Sequence, residues 1–137
     1  MKFGLGTTLL VIGATLGMVN AEAAVPATGD GITRKVVEQH VIEGTSKLLE
    51  LILVQYPPGA QSPPHTHPSV GLNYIVAGQV DSQYEGEPVK HYRAGDTYQD
   101  PVGKKHLMFR NTSRTEPLIF LIAVVLAPGQ SFVQLSP

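Results

Sequence analysis

The sequence predicts an all-β domain of the sandwich or barrel type. Apolar segments of about 5–9 residues alternate with turn signals at roughly 8–12-residue intervals, which is typical of that class. No long window carries the 3.6-residue apolar period of an amphipathic helix. The chain has 137 residues, a formal net charge of -1 and no cysteine. It is therefore long enough for one domain that needs neither disulfides nor thiolate-bound metal to hold its core.

Residues 1–23 are typical of a secretory signal peptide. Lys2 precedes an apolar stretch over residues 9–19, and the segment ends in the small-x-small pattern Ala-Glu-Ala. These are the three parts of such a signal, so we expect cleavage after Ala23 and a periplasmic or secreted protein. The alternative is an uncleaved membrane anchor, but residues 3–19 are short for a span and contain four glycines. We expect no membrane association after cleavage, and the near-neutral charge gives no basis for binding nucleic acid.

The elements that follow are strands separated by turns. In chain order the predicted strand segments are RKVVEQHVI (34–42), KLLELILVQY (47–56), LNYIVAG (72–78), QVDSQY (79–84), VKHYRAGD (89–96), TYQDPVG (97–103), KKHLMFRN (104–111) and LIFLIAVVL (118–126). Between the second and third, PPGAQSPP interrupts sheet pairing because proline donates no backbone hydrogen bond. The last segment is too short to cross a membrane, so we interpret it as a strand buried on both faces.

Two histidines follow the proline-rich segment. In an extended strand successive side chains point to opposite faces, so His65 and His67 share a face, with α-carbons roughly 6–7 Å apart. Two imidazoles at that separation can converge on one metal ion. A single His-x-His pair is weak evidence for a metal site. A third histidine, His106, lies beyond a proline and a glycine in the later sequence, and it makes a shared site a stronger hypothesis.

The spacing of these histidines resembles the two sequence motifs of the cupin superfamily. The first motif, Gly, five residues, His-x-His, three or four residues, Glu, six residues, Gly, is matched by Gly59, His65, His67, Gly71 and Gly78, with glycine in place of glutamate. The second motif, Gly, five residues, Pro-x-Gly, two residues, His, three residues, Asn, is matched by Gly95, Pro101, Gly103, His106 and Asn111, with the asparagine one position late. Two spaced motifs that match at this many positions make the resemblance specific.

The resemblance implies a double-stranded β-helix, an RmlC-like jelly-roll barrel, over residues 34–126. It also implies that His65, His67 and His106 meet inside the barrel mouth around one divalent transition metal. Iron is the leading expectation, with zinc, nickel, manganese and copper as alternatives that imidazole ligands also suit. Many cupins add a glutamate ligand, which Gly71 cannot supply. By strand parity Asn73 faces the same interior and is our first candidate for a fourth ligand.

Gln55, Gln99 and Asp100 are further candidates for that fourth ligand. Counting alternately from His106 places Met108 on the pocket wall, Phe109 on the other face and Arg110 inside. The extra residue before Asn111 leaves this count open, because a β-bulge there would turn Arg110 outward.

The function implied is that of an exported, mononuclear metal cupin with a small-molecule substrate or ligand. Some cupin oxygenases use three histidines on non-heme iron, so dioxygenase chemistry is the leading expectation. One alternative is a periplasmic binding or sensing protein without catalysis. Another is a metal-dependent isomerase or lyase, in which Tyr74 or Tyr98 carries the proton. Cupins often pair through edge strands, so a homodimer is also expected.

Overall fold

A computed structural model describes residues 31–136, and the predicted all-β fold is confirmed. The strands are β1 (Thr33–Val41), β2 (Leu48–Tyr56), β3 (His65–Thr66), β4 (Gly71–Ala77), β5 (Gln79–Tyr84), β6 (Lys90–Arg93), β7 (Thr97–Asp100), β8 (His106–Asn111), β9 (Leu118–Leu126) and β10 (Gln134–Leu135). Over residues 31–136 no helix long and apolar enough to span a membrane occurs. The predicted signal peptide, residues 1–23, lies outside the described residues.

The strands form two antiparallel sheets of five. The order in the first sheet is β1-β2-β9-β4-β7, and the order in the second is β10-β3-β8-β5-β6. Apart from the hairpins β1–β2 and β5–β6, consecutive strands alternate between the sheets, as in a jelly roll. A single apolar core lies between the sheets. The two histidine-bearing segments meet in the second sheet, where β3 pairs with β8.

Strand β9 is the centre of the first sheet and pairs with both β2 and β4. Its side chains alternate strictly, with every inward residue buried and every outward residue partly buried. Fully burying an aliphatic or aromatic side chain stabilises a fold by about 1.5–3 kcal/mol, so this strand contributes much of the core energy. We expected β9 to be buried on both faces, but its inward face is buried and its outward face is only half-buried.

The fold extends beyond Leu126, where the sequence placed the end of the domain. The chain turns at residues 127–130 and returns to pair β10 with β3. This return buries Phe132, whose side chain is 5% exposed, in the core cluster. The returning segment therefore completes the barrel on the side of the histidines.

A β-bulge in β8 explains the late asparagine of the second motif. Tyr84 pairs with His106 while its neighbour in β5 pairs with Met108, so Leu107 is an extra residue in the ladder. As a result His106, Phe109 and Asn111 are all buried. The side-chain amide of Asn111 donates to the carbonyl oxygens of residues 56, 57 and 116 at 3.3, 3.1 and 2.9 Å, tying the proline-rich loop to the barrel.

The alternation counted from His106 is therefore wrong beyond the bulge. Phe109 is 2% exposed in the core, whereas Met108 is only partly buried. Arg110 points outward, where its guanidinium lies 3.3 Å from the carboxylate of Asp81. It takes no part in the interior.

Candidate metal centre

Three imidazole rings converge inside the barrel. His65 opens β3 and pairs directly with His106 at the start of β8, while His67 follows β3 by one residue. Ring centroids are separated by 4.8 Å for the 65–67 pair, 5.0 Å for 65–106 and 5.9 Å for 67–106. One ring nitrogen from each lies within 4.8 Å of the others, and all three residues are buried. The three histidines that the sequence predicted as metal ligands therefore lie together in the structure.

Hydrogen bonds fix the orientation of each ring. Nδ1 of His65 lies 2.8 Å from the carbonyl oxygen of Pro63, and Nδ1 of His67 lies 3.1 Å from that of Phe132. A carbonyl only accepts, so Nδ1 carries the proton in both rings and Nε2 keeps its lone pair. Nε2 of His106 lies 2.8 Å from the hydroxyl of Ser82.

The ligand set fits a divalent transition metal. Nε2 of His67 and Nδ1 of His106 are buried and have no hydrogen-bond partner within the described chain. A buried polar atom without a partner costs about 1–3 kcal/mol, and metal coordination removes that cost. Burial lowers the pKa of His65 and His67 to about 4 and that of His106 to about 2. The imidazoles are therefore neutral at physiological pH, which is the form that binds metal.

The same pKa shifts predict an acid-sensitive metal-free protein. In the unfolded chain these histidines have a pKa near 6.5, so below that pH the unfolded state binds more protons than the folded state. The free energy of unfolding should therefore fall as pH is lowered from about 6.5 to about 4, and His106 extends the loss further. Asp100 opposes this trend because burial raises its pKa, but one group acts against three. Urea unfolding in chelator at several pH values measures the slope, and a flat profile over this window contradicts the prediction.

Position 71, where the family motif has glutamate, faces a neighbouring carboxylate. Gly71 on β4 is the direct partner of Asp100 on β7. A β-carbon built on Gly71 would lie 2.9 Å from Oδ2 of Asp100 and 2.4 Å from Cζ of Phe132. The space that a glutamate would use is thus filled by an aspartate from the next strand and by an aromatic ring. The carboxylate nearest to this space therefore belongs to Asp100 on β7, the strand next to β4.

Asp100, rather than Asn73, lies against the histidines. Oδ1 of Asp100 is 3.7 Å from Nε2 of His67 and accepts a 2.5 Å hydrogen bond from the hydroxyl of Tyr84. Its Oδ2 accepts from Nδ2 of Asn73 at 2.8 Å. Asn73 is buried and faces inward as predicted, but its contact is with the carboxylate behind the imidazoles. The candidate fourth ligand is therefore Asp100, and Asn73 orients it.

A methyl group at position 71 is expected to destabilise the protein. In Gly71→Ala the new carbon must displace Phe132 or Asp100, and overpacking of this kind costs about 1–3 kcal/mol. Urea denaturation of wild type and variant measures the loss. In a Phe132→Leu background the ring atom that clashes is absent, so the same substitution should cost less. An equal cost in both backgrounds would show that the close approach to Phe132 is not the cause.

The two predicted tyrosines lie in different places. Tyr98 is buried and lines the histidine cavity, and burial raises the pKa of its phenol well above 10. Tyr74 is on the outer face of β4 with 48% of its surface exposed. Side chains alternate along the strand, so Tyr74 faces outward where its neighbour Asn73 faces inward. Tyr74 therefore lies outside the site, and the prediction that it carries a proton there is corrected.

Sequence reasoning missed Tyr84. Its ring stacks on His106 with centroids 4.0 Å apart, and its hydroxyl binds Asp100. Val80, Ser82 and Tyr84 alternate as the inward residues of β5. Strand parity within that segment could have identified the two hydroxyl groups, although nothing in the motifs points to them.

The cavity at the histidines is small, and the returning C-terminal segment borders it. Its volume is about 20 Å³, and roughly 10–15 Å³ is enough for one water molecule. The ring of Phe132 packs against that of His67 at a centroid distance of 4.3 Å and forms part of the wall. Arg34, which the sequence did not single out, also lines this cavity.

Comparison with known proteins agrees with this architecture. Solved structures similar to the chain include a conserved protein with a double-stranded β-helix domain from Klebsiella pneumoniae, at 24% identity and TM-score 0.60, covering 91% of this chain and 99% of that one. An RmlC-like cupin from Shewanella frigidimarina matches at 17% identity and TM-score 0.59, covering 85% and 95%. A cupin-2 domain protein from Rhodospirillum rubrum matches at 22% identity and TM-score 0.57, covering 77% and 66%.

Among curated proteins no significant match is found. The family model described as a cupin domain, Cupin_2, matches residues 52–125. That range includes both histidine motifs, the cross-strand pair of Gly71 and Asp100, and most of the barrel. The chain therefore belongs to the cupin domain family.

Proposed function

We propose that this protein is an exported, mononuclear metal-dependent cupin that acts on a small organic molecule, with dioxygenation at non-heme iron as its reaction. The observation that carries the proposal is the convergence of three neutral, buried imidazoles, two of which, His67 and His106, have a ring nitrogen without a partner in the described chain. Nitrogen ligands of this kind suit iron, zinc, nickel or copper, and manganese is the weaker fit. The three imidazoles are neutral and Asp100 would offset only one charge of a divalent ion, so positive charge remains available to an anionic or chelating substrate.

The residues around the centre have separate roles in this proposal. His65, His67 and His106 would hold the ion, and Asp100, whose Oδ1 lies 3.7 Å from Nε2 of His67, would be a fourth ligand. A bound divalent ion would act as a Lewis acid that lowers the pKa of a chelating substrate. Phe132 and the aromatic wall exclude bulk water from the histidines, which strengthens electrostatic interactions there.

A second candidate function is proton-transfer chemistry, as in a metal-dependent lyase or isomerase. It is favoured by Asp100, a buried carboxyl group whose pKa burial raises and whose Oδ1 accepts from the hydroxyl of Tyr84. A buried carboxyl group with a raised pKa can serve as a general acid or base. In this candidate Asp100 and Tyr84 take the role that the sequence assigned to Tyr74 and Tyr98.

Metal analysis and oxygen uptake test the proposal. The purified mature protein should contain one metal per chain and, loaded with iron, should consume oxygen with a 1,3-dicarbonyl or phenolic substrate. Substrate proton exchange without oxygen loss would select the second candidate. Ligand-dependent thermal stabilisation without turnover would instead indicate a binding or sensing protein. A wild-type protein that takes up no divalent metal would overturn all three.

Export and assembly remain predictions. Mass spectrometry of periplasmic protein should find the mature chain starting at Ala24. The outer face of the first sheet exposes apolar side chains, including Leu49 and Leu72 at 44% and 54% exposure. This is consistent with a homodimer, which analytical ultracentrifugation of the mature chain tests.

A further inference from the structure

A single arginine borders the histidine cavity and a larger cavity beside it. Arg34 faces the interior because side chains alternate along β1, where its neighbours Thr33 and Lys35 point outward. It lines the 20 Å³ cavity together with the three imidazoles. It also lines an adjoining cavity of about 340 Å³, and the two cavities share Phe132 and Val133 as their common wall. The guanidinium thus lies where a ligand in the larger cavity would approach the metal centre.

The charge of Arg34 has no ion-pair partner in the described part of the chain. None of the ion pairs found among residues 31–136 includes it. Its side-chain contact is a 3.5 Å hydrogen bond from Nη2 to the hydroxyl of Tyr56, which orients the guanidinium without neutralising it. A partly buried charge is costly unless it is paired. An anion bound from solution would provide the missing partner.

The other charges near the cavities favour an anion at the inner end. The three imidazoles are neutral, and a divalent ion between them would add to the positive potential of Arg34. Glu50 also lines the larger cavity. Arg34 on β1 pairs with Val54 on β2. The α-carbon of Glu50 lies four residues along β2 from that of Val54, a distance of roughly 13 Å. Asp100 lines the smaller cavity and would offset one of these positive charges. The larger cavity, whose charged lining residues are Arg34 and Glu50, is therefore positive at the end beside the metal centre and negative at its far end.

We propose that the ligand of this protein carries a carboxylate and that Arg34 is the residue that selects it. The inference rests on the proposed metal function and names the substrate class of that site. A planar guanidinium matches a carboxylate with two parallel hydrogen bonds. The larger cavity is at the small end of the range of about 300–1,000 Å³ for ligand sites, so the ligand is a small organic acid. Phosphate sites often add clusters of backbone N–H groups to such a cation, whereas here the charged donor is the single guanidinium of Arg34, beside the hydroxyl of Tyr56.

Matched pairs of acids and amides test the proposal. Calorimetry on the zinc-loaded and metal-free full mature chain compares benzoate with benzamide and malonate with malonamide, and inorganic phosphate is a further probe. At least one acid should bind wild type tenfold or more tightly than its amide. Arg34→Met should reduce that preference to within twofold, and Arg34→Lys should retain part of it. Lys35→Met removes the same charge from the outer face of β1 and should change nothing.

The outcomes separate this proposal from the one on which it rests. Zinc affinity should be the same in wild type and in all three variants, because Arg34 is not among the metal ligands. An acid preference that survives in Arg34→Met overturns the inference, as does tighter binding of phosphate or the lack of any preference in wild type. If wild type takes up neither zinc nor any other divalent metal, the metal function fails. The metal-free measurements then still decide whether Arg34 selects carboxylates.

Discussion

Replacing His106 with alanine is expected to abolish stoichiometric metal binding. His106 is the one histidine supplied by the second motif, and it faces the histidines of the first motif across the β3–β8 pairing. With two imidazoles left, the site loses a third of its nitrogen ligands. Loss of a group that merely orients a ligand costs 10–100-fold in affinity, so loss of the ligand itself should cost more than about 100-fold. Competition with a chromophoric chelator measures the affinity, and elemental analysis measures the stoichiometry.

Two further variants make this result specific. Alanine at position 106 also leaves a void beside the ring of Tyr84, so His106→Gln, which fills more of the space, shows whether the loss comes from misfolding. His40 is exposed on β1 and belongs to neither motif, so His40→Ala should retain wild-type affinity. Full metal occupancy in a folded His106→Ala protein would refute the three-histidine centre.

The parts of the site predicted correctly depend on local spacing. Two residues along a strand return a side chain to the same face, which places His65 beside His67 whatever the rest of the fold does. The match of the second motif then placed His106 opposite them. The strand β9 was likewise predicted over its observed range, Leu118–Leu126, because nine apolar residues between turn signals allow few other structures.

The parts that were missed depend on contacts between distant segments. Asp100 replaces the glutamate because β4 and β7 are neighbours, and pairing between strands so far apart in sequence is not encoded in any local pattern. Phe132 reaches the site only because the chain returns after β9. The β-bulge at Leu107 reverses the facing of every later residue in β8, which moved Phe109 into the core.

The substitution Asp100→Asn is expected to weaken metal affinity by about 10–100-fold while preserving the fold. The change removes the negative charge that lies 3.7 Å from Nε2 of His67. It keeps the shape of the side chain and the oxygen that accepts from Tyr84. The new amide nitrogen would face Nδ2 of Asn73, but Oδ1 of Asn73 has no partner among residues 31–136, so a rotation of that amide restores the hydrogen bond.

Comparison with conservative variants assigns the effect to the carboxylate charge. Asp81 carries a carboxylate on β5 whose contacts are with His91 and Arg110 at the surface, so Asp81→Asn should leave metal affinity unchanged. Tyr84→Phe keeps the charge of Asp100 and removes only the hydrogen bond to it, so its loss should be smaller. If Asp100→Asn bound metal within twofold of wild type, the carboxylate would lie outside the metal centre. Gly71 would then mark a site of three histidines alone, with Asp100 serving only to hold the barrel wall.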